Sequence, residues 1–141
     1  MSLFRELQAA VREGLDELLN AGSSRDDVDH LTSLLESDLL EARSELDTAI
    51  EDERRLQSRM ESEHRDAERL HEQAQAAVDR GDDEQGRELI RRRRRVLRGV
   101  EILETQRGEQ RELIALLQDH LEALEDKLQE VQLRRDFLRS R

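Results

Sequence analysis

His64, Glu68 and His71 stand at i, i+4 and i+7. On a helix that spacing puts two imidazoles and a carboxylate on one face, a set that could hold a divalent ion. Both histidines fall at an outward-facing position of the helical repeat described below, where nothing supplies the outer shell that orients metal ligands. They read as surface histidines, His30 and His120 stand alone, and no metal is expected. Acyl and phosphoryl chemistry find less support still. There is no G-x-S-x-G, and "RGDDEQGRE" lacks both the lysine and the spacing of a phosphate-binding loop. Carboxylates recur along the whole chain, but on solvated helices they are surface charge, not raised-pKa acids in a pocket. No catalytic residue and no cofactor are assigned, and the chain is expected not to be an enzyme.

The other candidate is "RRRRR", Arg91 to Arg95, in a chain whose formal net charge is −11. Nucleic acid, a membrane and a second copy of the chain are the partners such a run could serve. Successive helical residues turn by about 100°, so five in a row encircle the axis and cannot form one face. Arg93 points into the helix–helix seam opposite Ala74, where its aliphatic stem can cover apolar surface, and the other four point outward. Glu88 lies four residues before Arg92, Glu68 and Glu72 are expected across from the run, and Arg91 and Arg95 repel by roughly 0.2–0.5 kcal/mol. Residues 87–100 carry seven arginines against one acid, whereas residues 26–72 carry sixteen acids against six arginines. A basic collar on an acidic body suits staggered self-assembly; a solvated charge run without a partner is the plainer alternative. Nucleic acid is excluded as a partner, because aromatics are 1% of the chain and the whole molecule is acidic.

The elements that carry these residues follow from composition and periodicity. Charged residues make up 42% and apolar residues 35%, with no proline, cysteine, tryptophan or tyrosine. Such a chain is disordered or built of long helices that bury only a stripe, and the apolar periodicity decides for helices. The fold class is all-α: an N-terminal amphipathic helix, then a long antiparallel two-helix coiled-coil hairpin. Residues 1–20 form the first helix, with Leu3, Leu7, Val11, Leu15 and Leu18 on one face, widened by Phe4. Residues 21–26 are the linker, and 27–141 the hairpin with its tip near 81–86, where Gly81 suits a helix stop.

The first arm's seam contains Val28, Leu35, Leu39, Ala42, Leu46, Ala49, Leu56, Met60, Ala67, Leu70, Ala74 and Ala77. The returning arm's contains Leu89, Val96, Val100, Leu103, Ile114, Leu117, Leu121, Leu124, Leu128, Val131 and Leu138. So sustained a repeat signals a coiled coil. A bend near Asp83 sets Ala77 opposite Leu89, Leu70 opposite Val96, Leu46 opposite Leu121 and Leu35 opposite Val131, small residues mostly meeting large ones. Glu53, Glu63, Arg107 and Gln110 collect in one polar zone, with Gly99 and Gly108 nearby. Arg107 is expected to pair with Glu63 or a neighbour, since a buried charge left alone costs several kcal/mol. The zone is either a register-fixing layer or a hinge. One thin core of this kind encloses no volume for an active site.

The N-terminal helix has two readings. Its apolar face packs on the hairpin or a partner, or it lies in a membrane interface with Leu3, Phe4, Leu7, Val11 and Leu15 contacting lipid. No apolar run reaches about 18 residues and there is no signal-peptide core. With no cysteine, nothing calls for an oxidising compartment, so a cytoplasmic location is expected.

"AAVDRGDDEQGRELIRRR" resembles the turn motif of the family of phage shock protein A and the vesicle-inducing protein in plastids, part of the ESCRT-III superfamily. The motif runs roughly A-L-x-x-G-R-E-D-L-A-R-x-A-L-x-x-K. Ala77, Val78, Gly81, Glu84, Arg87, Ile90 and Arg93 fall at matching positions, while Gln85, Gly86 and Leu89 replace the usual Leu, Ala and Ala. "MSLFREL" is similar to the family's Met-Gly-Ile-Phe start, and "LLESDLLEAR" to its second-helix entry, although Arg25-Asp26 replaces the usual Asp-Pro. The resemblance implies a peripheral scaffold on the inner face of the cell membrane. It would self-assemble through the hairpin tip (Gly81, Arg87, Arg91, Arg92, Arg94 and Arg95) to maintain or remodel stressed membranes. It also implies an alternative, a soluble adaptor that restrains a AAA+ transcription activator. Family members usually continue beyond this hairpin, so a chain ending at Arg141 is expected to be a short form or a truncated piece.

Overall fold

A computed structural model describes residues 25–140. The helix expected over 1–20, with Leu3, Phe4, Leu7, Val11 and Leu15, lies outside the described residues. Two helices account for nearly all of the rest, α1 (Arg25–Asp79) and α2 (Asp83–Arg139). They pack against each other as a hairpin. Asp26 and Asp27 occupy the first turn of α1, and Asp83 and Glu84 that of α2, where carboxylates complement the helix dipole.

Three residues, 80–82, reverse the chain between the helices. Gly81 has φ of +80°; its N–H donates to Val78 O at 2.9 Å, and the Asp82 N–H donates to Ala77 O at 2.9 Å. These two bonds form a Schellman motif, which closes the orphan carbonyls of α1 through a left-handed residue that glycine adopts without strain. Asp82 then caps α2: its Oδ1 accepts the Gln85 N–H at 3.2 Å, the N-cap to N3 bond. For this reason α2 starts at Asp83, within the 81–86 range expected for the tip. Gly86 is buried, and a Cβ there would lie 2.9 Å from Val78 Cγ2. This departure from the family's alanine therefore keeps the two helices close just beyond the turn. Replacing Gly81 by alanine forces a side chain into the left-handed region. We expect a loss of about 1–2 kcal/mol, read as a lower thermal midpoint with unchanged helix content.

The contacts fall into two units, Thr48–Ile114, here the turn unit, and a terminal unit made from the described parts of Met1–Asp47 and Ala115–Arg141. In the turn unit, Ala74, Ala77 and Leu89 form one buried cluster with Leu70 against it. Met60, Val100 and Leu103 form another, with Leu56. Ala77 is fully buried beside Leu89, so the small-to-large pairing holds at the turn. In the terminal unit, Val28, Leu31, Leu35, Leu39 and Ala42 of α1 pack with Leu124 and Val131 of α2. Leu121, Leu128 and Leu138 cover that cluster. Leu35 and Val131 meet here, as the register predicts. Thr32 sits among these residues without cost, because its hydroxyl donates to Val28 O at 2.8 Å.

In the polar zone, the expected pairing of Arg107 with Glu63 or a neighbour falls to the neighbour. Arg107 pairs with Glu53, Nε to Oε1 at 2.7 Å, and not with Glu63. Arg111 approaches the same carboxylate at 3.5 Å, and the Gln110 amide donates to the Ala49 carbonyl at 3.0 Å. On one side of Arg107 lies the apolar Met60–Val100–Leu103 cluster, on the other this polar group. Turning the guanidinium to the polar side leaves the apolar layer dry. Glu63 instead lines an open groove with Arg59 and Gly99, where it stays half-exposed.

Candidate functional site

The phase of α2, set by the Asp82 cap, decides where each arginine of the run points. Arg93 is half-buried, its Nε enclosed without a hydrogen-bond partner, as its place in the seam requires. Arg91, Arg92 and Arg95 converge on a single carboxylate, Glu88, at 3.4, 3.5 and 3.6 Å. The residues expected to answer them from across the hairpin, Glu68 and Glu72, form no ion pair with them and are exposed. Arg91 and Arg95 are thus not simply repelling neighbours but share one counter-charge. Arg94, Arg87 and Arg98 lie on the same face as Arg91, exposed and in no ion pair. The run is a buried stem, a cluster held by Glu88, and a free basic side.

Of the other residues singled out from the sequence, Gly81 makes the turn, Leu117 is buried, and Leu70, Val96 and Leu121 are partly buried. Arg98 was not among them, though it lies four residues beyond Arg94. The Glu88 cluster was half visible, because i+3, i+4 and i+7 from Glu88 are Arg91, Arg92 and Arg95. His64, Glu68 and His71 are all exposed. Among the described residues no group of three or more such side chains is placed to hold a metal. In the terminal unit, burial holds the His120 imidazole below its ordinary pKa, against the raising influence of Glu45 and Asp38. No helix among the described residues is long and apolar enough to cross a membrane.

Two long helices, a capped glycine turn and a basic start to the returning arm agree with what comparison of the chain finds. The model of the PspA/IM30 family matches residues 2–141. The chain belongs to that family. It is similar to the membrane-associated protein Vipp1 of Synechocystis sp., at 25% identity over 142 residues, covering 100% of this chain and 53% of that protein. It is also similar to the chloroplastic membrane-associated protein VIPP1 of Arabidopsis thaliana, at 24% identity, covering 100% of this chain and 43% of that one. The chain therefore spans about half the length of these relatives. Both carry membrane association in their names.

Proposed function

We propose that this chain is a non-enzymatic, peripheral membrane scaffold that self-assembles to maintain or remodel stressed membranes from the cytoplasmic face. The observation that carries the reading is the family match along the whole chain, together with two relatives named as membrane-associated. The amphipathic pattern of residues 1–20 supports it from the residues. There Leu3, Phe4, Leu7, Val11 and Leu15 supply an apolar face, while the polar face carries more acids than arginines. Attraction to lipid then comes mainly from apolar burial and favours loosely packed bilayers over simple anionic ones. The hairpin contributes the assembly surface, with the tip residues Gly81, Arg87, Arg91, Arg92, Arg94 and Arg95 at one end of it.

The test is co-sedimentation with liposomes. We expect the intact chain to pellet with vesicles carrying packing defects. A Leu3→Glu, Leu7→Glu, Val11→Glu variant should partition at least about tenfold less, since each change removes a buried aliphatic group worth roughly 1.5–3 kcal/mol. Equal partitioning of the two proteins would refute the lipid-contacting role of this segment. An intact chain that ignores lipid and stays monomeric would point instead to the soluble adaptor for a AAA+ protein.

A further inference from the structure

On α2 of the turn unit, Arg87, Arg91, Arg94 and Arg98 recur at steps of four, three and four residues. Those steps keep all four within about 60° of the helix circumference. Each is exposed. Of the four only Arg91 is in an ion pair, and it shares Glu88 with Arg92 and Arg95. Four like charges on one line repel one another, so the stripe is stabilised by an external anionic surface.

The terminal unit carries a surface of matching period. Asp119, Glu122 and Asp126 of α2 lie at steps of three and four residues, all exposed and none in an ion pair. Several other acid groups along the helices are already engaged. Glu51 and Asp52 pair with Arg55, Asp66 with Arg69, Glu125 with Arg43 and Glu130 with Lys127. Asp38 and Glu45 act on His120.

We propose that the arginine stripe of one copy seats on the Asp119–Glu122–Asp126 stripe of a second copy, α2 against α2. This rests on the self-assembly reading above and names its interface. The steps match in either direction. Antiparallel helices oppose Arg87 to Asp126, Arg91 to Glu122 and Arg94 to Asp119. Parallel helices oppose Arg91 to Asp119, Arg94 to Glu122 and Arg98 to Asp126. Arg91 and Arg94 are engaged in both. The contact is electrostatic and peripheral, so it weakens as salt shortens the screening length from about 10 Å at 0.1 M to about 3 Å at 1 M.

Two charge-reversed full-length variants test it, Arg91→Glu/Arg94→Glu and Asp119→Arg/Glu122→Arg, with helix content checked by circular dichroism and association by sedimentation velocity. Each variant alone faces like charge and is expected to associate about tenfold or more weakly than the parent. Mixed one to one, they present complementary stripes and regain parental association. A mixture no better than its components overturns the proposal, as do variants that assemble like the parent. If the arginine variant loses only liposome binding, the stripe faces lipid and the proposal is wrong. A parent chain that stays monomeric at every concentration would sink the self-assembly reading as well, whereas a parent that assembles without rescue in the mixture sinks this interface alone.

Discussion

Replacing Leu35 by alanine is expected to destabilise the chain by about 2–5 kcal/mol, whereas the same change at the adjacent Leu34 stays within about 0.5 kcal/mol. Leu35 is 1% exposed and Leu34 50% exposed, although the two are identical in composition and helix propensity. Leu35 and Val131 are the largest fully buried side chains among the described residues, and both belong to the terminal cluster with Val28, Leu39 and Leu124. Truncating Leu35 removes its transfer energy and leaves a cavity that stiff neighbours such as Val28 and Val131 fill poorly. In thermal unfolding this corresponds to a fall of roughly 10 °C for Leu35→Ala and almost none for Leu34→Ala. Equal shifts for both would show that the seam is not where the packing energy lies. In hydrogen exchange, the backbone around Leu35 should lose protection first, because local opening follows local burial.

That contrast between neighbouring leucines was legible in the sequence, since only Leu35 keeps step with Val28, Leu39 and Ala42 in the heptad. Periodicity also predicted the pairing of Ala77 with Leu89 and of Leu35 with Val131, because both arms carry the same repeat and the turn fixes their offset. Backbone chemistry at the bend was only partly legible. Gly81 announced the stop, but that Asp82 rather than a later acid caps α2 depends on which carboxylate meets the Gln85 N–H. Polar pairing was the least legible of all. A long arginine can reach carboxylates a turn or more away on the facing helix, so the heptad places Arg107 near the seam without choosing between Glu53 and Glu63. The choice depends on the apolar Met60–Val100–Leu103 cluster that closes one side. In the same way, "RRRRR" reads as one feature along the chain. Folding at 100° per residue divides it among the seam, the Glu88 cluster and the free stripe, and extends that stripe to Arg87 and Arg98.

Substituting Glu53 by glutamine is expected to lower stability by about 1–3 kcal/mol at neutral pH. The change preserves shape and removes one charge. Glu53 is 15% exposed at its side chain and Arg107 24%, so their 2.7 Å contact is sheltered enough to count, unlike the exposed pairs at Arg55 or Arg69. The hydrogen bond from Arg107 is the main cause that holds the Glu53 carboxyl below its ordinary pKa. Burial works the other way, and the charges of Arg107 and Arg111 add to the lowering. A depressed carboxyl means that the folded chain binds its proton less readily than the unfolded one. Its contribution is therefore complete above the unfolded value, about pH 4.3, and disappears as pH falls through the lower folded value. The gap in thermal midpoint between parent and Glu53→Gln should thus be several degrees at pH 7 and close below about pH 4. A gap that persists unchanged in acid would show that the loss comes from packing and not from charge. A double-mutant cycle with Arg107→Gln separates the partners: with the interaction gone, the second substitution costs less than the first, because neither charge is left sheltered and unpaired. Arg111 sits 3.5 Å from the same carboxylate and is 62% exposed, so it softens the loss in Arg107→Gln but cannot replace a bond that Arg107 makes from inside the seam.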